Sequence, residues 1–267
     1  MSWIIARRRR PVAGYAVVLL GLIAVGVIYA AFTAQGSPAS ASSPAASQRQ
    51  TTLGRQLFVQ NCSSCHGFMA QGTGNGPGLI GVGAAAVDFQ VSTGRMPLKE
   101  VEAEAPRKPP VLNPTQTHEI AAYIASLGGG PSIPDASQVS TKGADVGLGQ
   151  ELFSTNCAQC HNFVGAGGAL TYGKYAPALT QSTPTQIYEA MLIGPEAMPV
   201  FNDSTITPSE KRDIIAYVTG TRSEPNPGGF SLGRVGPVTE GLVGWIGGIG
   251  ALVLAALWIT AKRRVHE

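Results

Sequence analysis

The sequence has 267 residues, of which 44% are hydrophobic and only 13% are charged. Ordinary soluble domains carry about 25% charged residues, so this composition excludes a disordered, highly solvated chain and favours membrane segments. Seven of the 19 basic residues lie in the two tails, so residues 11–261 are acidic overall, which argues against nucleic-acid binding.

The first predicted element is an apolar helix near the N-terminus. Residues 12–32 contain no charged side chain, and as a helix they would be about 32 Å long, enough to cross a hydrocarbon core of about 30 Å. A cleaved signal peptide is the alternative, although its apolar stretch usually covers only about 7–15 residues. We predict that residues 1–32 form a basic cytoplasmic tail and an uncleaved transmembrane anchor.

An internal repeat follows. Residues 53–67 (LGRQLFVQNCSSCHG) and 148–162 (LGQELFSTNCAQCHN) are identical at eight of 15 positions with a constant offset of 95. A Met-Pro pair and then an apolar stretch with a tyrosine follow in both copies. We therefore predict two copies of one domain, at 51–127 and 147–221. The connecting linkers, rich in small residues, Gly, Pro and Ser, are predicted at 33–50, 128–146 and 222–241.

Both copies are predicted to be mostly helical. Apolar residues recur at helical spacing over 115–127, and Thr207 with Glu210 forms a capping box at the start of the equivalent helix in the second copy. The glycine-rich stretches 70–84 and 165–173 indicate loops, and no alternating strand pattern is visible.

All four cysteines lie in C-x-x-C-H motifs. The motifs are Cys62-Ser63-Ser64-Cys65-His66 and Cys157-Ala158-Gln159-Cys160-His161. This is the attachment pattern of haem c, since thiols at i and i+3 share one helix face and the adjacent histidine can bind the iron. Zinc ribbons, the alternative, space their cysteine pairs about 15–20 residues apart. Here 91 residues intervene, so we predict two covalently bound haem c groups with His66 and His161 as iron ligands.

Methionine is the predicted second iron ligand at both sites. Met96 and Met198 follow the motif histidines by 30 and 37 residues, and each precedes a proline that favours an extended backbone. Met69 lies too close to its histidine to reach the opposite face of the ring, and Met191 is assigned to a helix core. Ligation by His and Met raises the reduction potential and fills the coordination sphere, which favours electron transfer over substrate chemistry.

Two prolines occupy matching places after the motifs. Pro77 and Pro177 follow the motif histidines by 11 and 16 residues. Their carbonyl groups can accept the histidine Nδ1–H and orient the ring, but each proline could equally serve only to shape its loop. His118 is assigned to a solvated helix face and His266 to the C-terminal tail, so neither is predicted to bind metal.

The last predicted element is a transmembrane helix over 242–261, about 30 Å long, followed by a basic tail over 262–267. Because Lys and Arg favour the cytoplasmic side, both termini are predicted to be cytoplasmic. The repeats then lie outside the cell membrane, which the chain crosses twice. Gly244 and Gly248 form a GxxxG pair, a weak indication of a helix partner.

These motifs resemble the class I cytochrome c family. The resemblance rests on GxxLFxxxCxxCH, a Pro-Gly-type loop, Met-Pro and a closing helix with a tyrosine in each copy. It implies an all-α fold of two tandem class I cytochrome c domains, with one N-terminal and one C-terminal transmembrane helix. It also implies that the first and last helices of each domain cross at a glycine and an aromatic pair. Those residues are Gly54, Phe58 and Tyr123 in the first copy, and Gly149, Phe153 and Tyr217 in the second.

The whole layout is similar to the dihaem cytochrome c subunits of actinobacterial cytochrome bc complexes (menaquinol–cytochrome c reductases). The resemblance implies an electron-transfer subunit of a translocase, without substrate turnover of its own. Its partners would be the cytochrome b subunit, the Rieske iron–sulfur subunit and an aa-type cytochrome c oxidase, whose copper centre receives the electrons. The alternatives are a cytochrome subunit of a periplasmic dehydrogenase or of another terminal oxidase, and a dihaem peroxidase.

Overall fold

A computed structural model describes residues 11–33, 44–102, 104–224 and 237–264. The chain forms two compact units, residues 1–47 and residues 48–267. Several predicted features lie outside the described residues. They are the N-terminal basic tail, most of the first and third linkers, and His266.

Helices make up most of the described chain. In order they are α1 (Pro11–Thr33), α2 (Pro44–Asn61), α3 (Ser63–His66), α4 (Gly83–Ser92), α5 (Pro114–Gly128), α6 (Ala136–Val139), α7 (Val146–Asn156), α8 (Ala158–His161), α9 (Pro184–Ile193), α10 (Pro208–Ser223) and α11 (Pro237–Arg264). The all-α prediction misses one feature, a short antiparallel pair of β1 (Gly168–Ala169) and β2 (Tyr175–Ala176). Strands of two residues are too short to produce an alternating pattern in the sequence.

The first and last helices of each repeat cross at a glycine, as the resemblance implies. A Cβ atom on Gly54 of α2 would lie 1.9 Å from the carbonyl oxygen of Glu119 in α5. In the second repeat, a Cβ atom on Gly149 of α7 would lie 2.0 Å from the carbonyl oxygen of Asp213 in α10. Only glycine permits so close an approach of two helix backbones.

An aromatic pair extends each crossing into the core. The ring centroids of Phe58 and Tyr123 are 5.4 Å apart, and those of Phe153 and Tyr217 are 5.3 Å apart. Both pairs are tilted, the arrangement that aromatic rings favour. The two copies therefore share one core design.

The helices that close the repeats begin with the same signal. Asn113 and Gln116 form a capping box at α5, and Thr207 and Glu210 form another at α10. In each helix a proline occupies the first turn, where its missing N–H costs no hydrogen bond. The capping box at Thr207 confirms the sequence prediction.

The segment predicted as a linker over 128–146 is ordered and packs on both repeats. Its Pro131 carbonyl accepts a hydrogen bond from Ala85 N of the first repeat at 3.0 Å. Its Gln138 Nε2 donates to the Tyr188 hydroxyl of the second repeat at 3.3 Å. This segment therefore acts as a strap between the repeats.

One helix in the described part of the chain is long and apolar enough to cross a membrane, over Gly241–Ala261. It agrees with the predicted C-terminal span. At the N-terminus, α1 covers 23 residues, but its apolar part within the described side chains is the shorter Gly14–Val27. The second crossing therefore stays a prediction.

Candidate haem sites

The C-x-x-C-H motif of each repeat forms one continuous helical turn. His66 N donates to Cys62 O at 3.0 Å, and His161 N donates to Cys157 O at 2.9 Å. This i to i+4 bonding places the two thiols of each motif on the same side of the turn. All four cysteines are free, so no disulfide occupies either motif.

Each motif histidine is oriented by a backbone carbonyl. His66 Nδ1 lies 2.7 Å from Pro77 O, and His161 Nδ1 lies 3.0 Å from Pro177 O. When Nδ1 carries the proton of this hydrogen bond, Nε2 is left with a free lone pair for iron. Burial lowers the pKa of His161, opposed by the bond to Pro177, and this favours the neutral imidazole that metal ligation requires.

In the second repeat, the predicted haem residues surround one cavity. His161, Cys157, Cys160 and Met198 all line it, and it encloses about 1090 Å³ of open space, including its mouth. Much of the remaining wall is apolar. The apolar wall includes Phe153, Leu170, Leu179, Ile187, Met191, Phe201, Ile214 and Val218. Thiols, imidazole and thioether around an apolar space fit a haem c.

In the first repeat, two of the four predicted haem residues pack on one apolar cluster. Cys62 and Met96 both pack against the buried group that contains Phe58 and Tyr123. Met96 N donates to Gln90 O at 3.0 Å, which ties the methionine to the end of α4. The donor set is therefore repeated, and it fits a second haem c.

The other candidate metal-binding side chains are placed differently. Met69 is 60% exposed, whereas Met191 is buried in the core of the second repeat and lines the same cavity as Met198. His118 is half exposed, and its Nε2 lies 3.4 Å from Asp88 Oδ1. No group of three or more His, Cys, Asp or Glu side chains in the described residues could hold a metal ion, which gives no support to a zinc site.

Part of the second cavity is built by the first repeat, which sequence reasoning missed. Phe89, Arg95 and Glu104 line the cavity together with residues of the second repeat. Burial lowers the pKa of Arg95, and its guanidinium lies 4.9 Å from the centre of the Phe89 ring. The sequence contained one indication that the repeats differ here. The residue before the predicted methionine ligand is Arg95 in the first repeat and Ala197 in the second.

A second group missed by sequence reasoning is a buried carboxyl pair between the repeats. Glu189 of α9 is completely buried, and Asp88 of α4 is the side chain that can hydrogen-bond its carboxyl group when Glu189 is protonated. Burial, followed by the negative charge of Asp88 in α4, raises the pKa of Glu189 to about 10. Glu189 is therefore a neutral acid at pH 7.

Comparison with known proteins matches each repeat to a protein family. Residues 51–128 match the cytochrome c family, and residues 144–218 match the family described as cytochrome c oxidase, cbb3-type, subunit III. The chain is 44% identical to the cytochrome bc1 complex cytochrome c subunit of Corynebacterium diphtheriae over 274 residues, covering 96% of this chain and 97% of that protein.

Two further relatives differ in how much of the chain they match. The cytochrome bc1 complex cytochrome c subunit of Mycobacterium tuberculosis is 46% identical over 262 residues, covering 96% of this chain and 93% of that protein. The cbb3-type cytochrome c oxidase subunit FixPc of Rhizobium leguminosarum is 32% identical over 120 residues, covering 40% of this chain and 38% of that protein. The full-length similarity is thus to the bc1 complex subunits.

Proposed function

Because the chain belongs to the family of cytochrome c subunits of the bc1 complex, we propose that it relays electrons through two covalently bound haem c groups. Family membership confirms the resemblance found in the sequence, and with it covalent haem c and a role in electron transfer. The count of two haems rests on the repeated donor sets. When bound, each haem supplies one-electron redox chemistry.

The protein's own residues hold and orient the two haems. Cys62 and Cys65 supply the covalent attachment in the first repeat, and Cys157 and Cys160 supply it in the second. The observation that carries the proposal is the matched pair of hydrogen bonds, 2.7 Å from His66 Nδ1 to Pro77 O and 3.0 Å from His161 Nδ1 to Pro177 O.

The thioethers of Met96 and Met198 would supply the second protein ligand to each iron. A filled coordination sphere leaves no place for a substrate, so the chain turns over no substrate by itself. It contributes electron transfer to a larger translocase. A dihaem peroxidase would need an open or His-switched haem. The histidine available for such a switch is His118, which is half exposed and pairs with Asp88.

A haem count and potentiometry test this assignment. The purified chain is expected to contain two covalently bound haems, both low-spin and six-coordinate in both oxidation states, with no peroxide turnover. A persistently five-coordinate haem, or one haem per chain, contradicts the proposal.

We place the relay between the Rieske iron–sulfur subunit and the copper centre of an aa-type cytochrome c oxidase, beside the cytochrome b subunit. Chain order supports this direction, since the second repeat is joined to the C-terminal membrane helix and leaves the first repeat to accept electrons. The packing of α4 on α9 supports a fixed spacing between the two haem sites.

We also propose that both termini lie in the cytoplasm, that the chain crosses the membrane twice and that the repeats lie outside.

A second candidate function is a cytochrome subunit of another terminal oxidase. It is favoured by the match of residues 144–218 to the cbb3-type subunit III family. Purification of the tagged chain in mild detergent separates the two. Recovery of cytochrome b, Rieske protein and an aa-type oxidase supports the relay. Recovery of a cbb3-type oxidase or of a dehydrogenase, without cytochrome b, contradicts it.

A further inference from the structure

The first repeat closes one wall of the haem cavity in the second. Three residues of the segment that follows α4, Glu104, Ala105 and Arg107, form hydrogen bonds with the second repeat. Ala105 N donates to Glu196 Oε1 at 2.8 Å, Tyr175 N donates to Glu104 Oε1 at 3.2 Å, and Arg107 Nη2 donates to Gln186 Oε1 at 2.9 Å. These contacts hold the segment at the cavity, so its side chains belong to the second site.

Arg95 is a buried cation in this wall without a salt-bridge partner in the described structure. It is 7% exposed, and it is the only lysine or arginine that lines the cavity in the described structure. Its Nη1 is a buried donor without a hydrogen-bond partner among the described residues. Since arginine stays charged in proteins, a buried guanidinium with an unused donor is costly unless an anion pairs with it.

The acidic side chains at the cavity do not fill this role. Glu104 and Glu196 both line it, but one oxygen of each is occupied by a backbone N–H across the repeat contact. Neither carboxylate forms a salt bridge with Arg95 in the described structure. The charge of Glu196 acts on Arg95 without a salt-bridge contact, so an anion that pairs directly with the guanidinium would come from whatever occupies the cavity.

We propose that Arg95 of the first repeat binds a propionate carboxylate of the haem in the second repeat. This rests on the proposed function, because it requires a haem in that cavity. A haem has two propionates at one edge of an otherwise apolar ring, and the planar guanidinium matches a carboxylate through two parallel hydrogen bonds. The corresponding position in the second repeat, before Met198, is the uncharged Ala197.

The test is redox titration of the full-length holoprotein with Arg95→Gln. Loss of the positive charge leaves the propionate uncompensated, which disfavours the reduced haem. We expect the midpoint potential of the second-repeat haem to fall while that of the first-repeat haem stays unchanged. Met198→His in the otherwise wild-type chain assigns the two potentials, because replacing the thioether lowers the potential of the second haem selectively.

Two further variants keep the test decisive. Arg95→Lys retains the charge, so its potentials should stay close to wild type while the resonance Raman propionate bending band shifts, because lysine cannot form the two parallel bonds. Arg55→Gln, an exposed charge on α2 outside the cavity lining, should change neither potential nor band. If Arg95→Gln fails to assemble, the Raman band of Arg95→Lys decides.

The outcomes separate this proposal from the function on which it rests. Two haems with potentials and propionate band unaffected by the Arg95 variants overturn the Arg95 assignment and leave the relay intact. A shift confined to the first-repeat haem also overturns it. A wild-type chain with fewer than two haems refutes the relay itself.

Discussion

Glu189 is completely buried beside Asp88, where α9 of the second repeat packs on α4 of the first. Burial and the neighbouring charge raise the pKa of Glu189 from its usual 4.5 to about 10. The unfolded chain therefore releases this proton near pH 4.5 while the folded chain retains it. The contribution of this group to stability is complete below about pH 4.5 and declines as the pH rises towards 10.

Glu189→Gln should remove this pH dependence. The wild-type free energy of unfolding should fall relative to the variant as the pH rises from 5 to 9, with a slope of at most about 1.4 kcal/mol per pH unit. Denaturant unfolding in detergent at several pH values measures it. Glu151→Gln, at an exposed position on α7, is the control and should keep the wild-type slope. Parallel curves for wild type and Glu189→Gln would count against the buried neutral acid.

The helix crossings predict that an alanine substitution destabilises the protein at a crossing glycine but not at a helix glycine with open space around it. Gly149→Ala places a methyl group 2.0 Å from the Asp213 carbonyl oxygen, so α7 and α10 must separate. We expect a loss of about 1–3 kcal/mol, read as a lower thermal unfolding temperature. Gly220→Ala on α10 is the control, since its Cβ meets nothing within 4 Å. There alanine should stabilise by about 0.4–1 kcal/mol because it restricts the unfolded chain. Equal effects at the two positions contradict the crossing.

Ligation by methionine predicts a spectroscopic change in one haem at a time. Met198→Ala should convert the second haem to a high-spin form with an open iron position and lower its potential, while the first haem is unchanged. Electron paramagnetic resonance and visible spectra measure this change. Met69→Ala, at a position that is 60% exposed, should leave both haems as they are. Two low-spin Met-type haems in Met198→Ala mean that another residue is the ligand.

The contact between the repeats should depend on Arg107. Its Nη2 donates to Gln181 O at 3.1 Å and to Gln186 Oε1 at 2.9 Å across the interface. Arg107→Ala should cost about 1.5–3 kcal/mol and speed hydrogen exchange where the repeats meet. Arg212→Ala is the control, because Arg212 donates to the carbonyls of Ser140 and Lys142 in the strap. If only Arg212→Ala accelerates exchange near α9, the docking role of Arg107 is wrong.

The sequence predicted the local features well because they depend on short spacings. The C-x-x-C-H motifs and the capping box at Thr207 are readable within a few residues. The glycine of each helix crossing is expected only from the resemblance to class I cytochromes c. The contacts between the repeats are not readable in the sequence, because nothing near Glu189 in the chain indicates that α4 will cover it. Arg95 is similar, since its role depends on a cavity whose walls in the second repeat begin 58 positions later, at Phe153. The β1–β2 pair is too short to leave a pattern.

The shared wall of the second cavity makes the duplication unequal. In sequence the halves look like two copies of a self-sufficient unit. In the structure, residues of the earlier copy form part of the cavity wall of the later one. Cut apart, the earlier half keeps its own set of proposed iron ligands, while the later half opens one flank of its pocket to water. The two halves are therefore not equivalent, because the later one depends on its neighbour for part of its pocket wall.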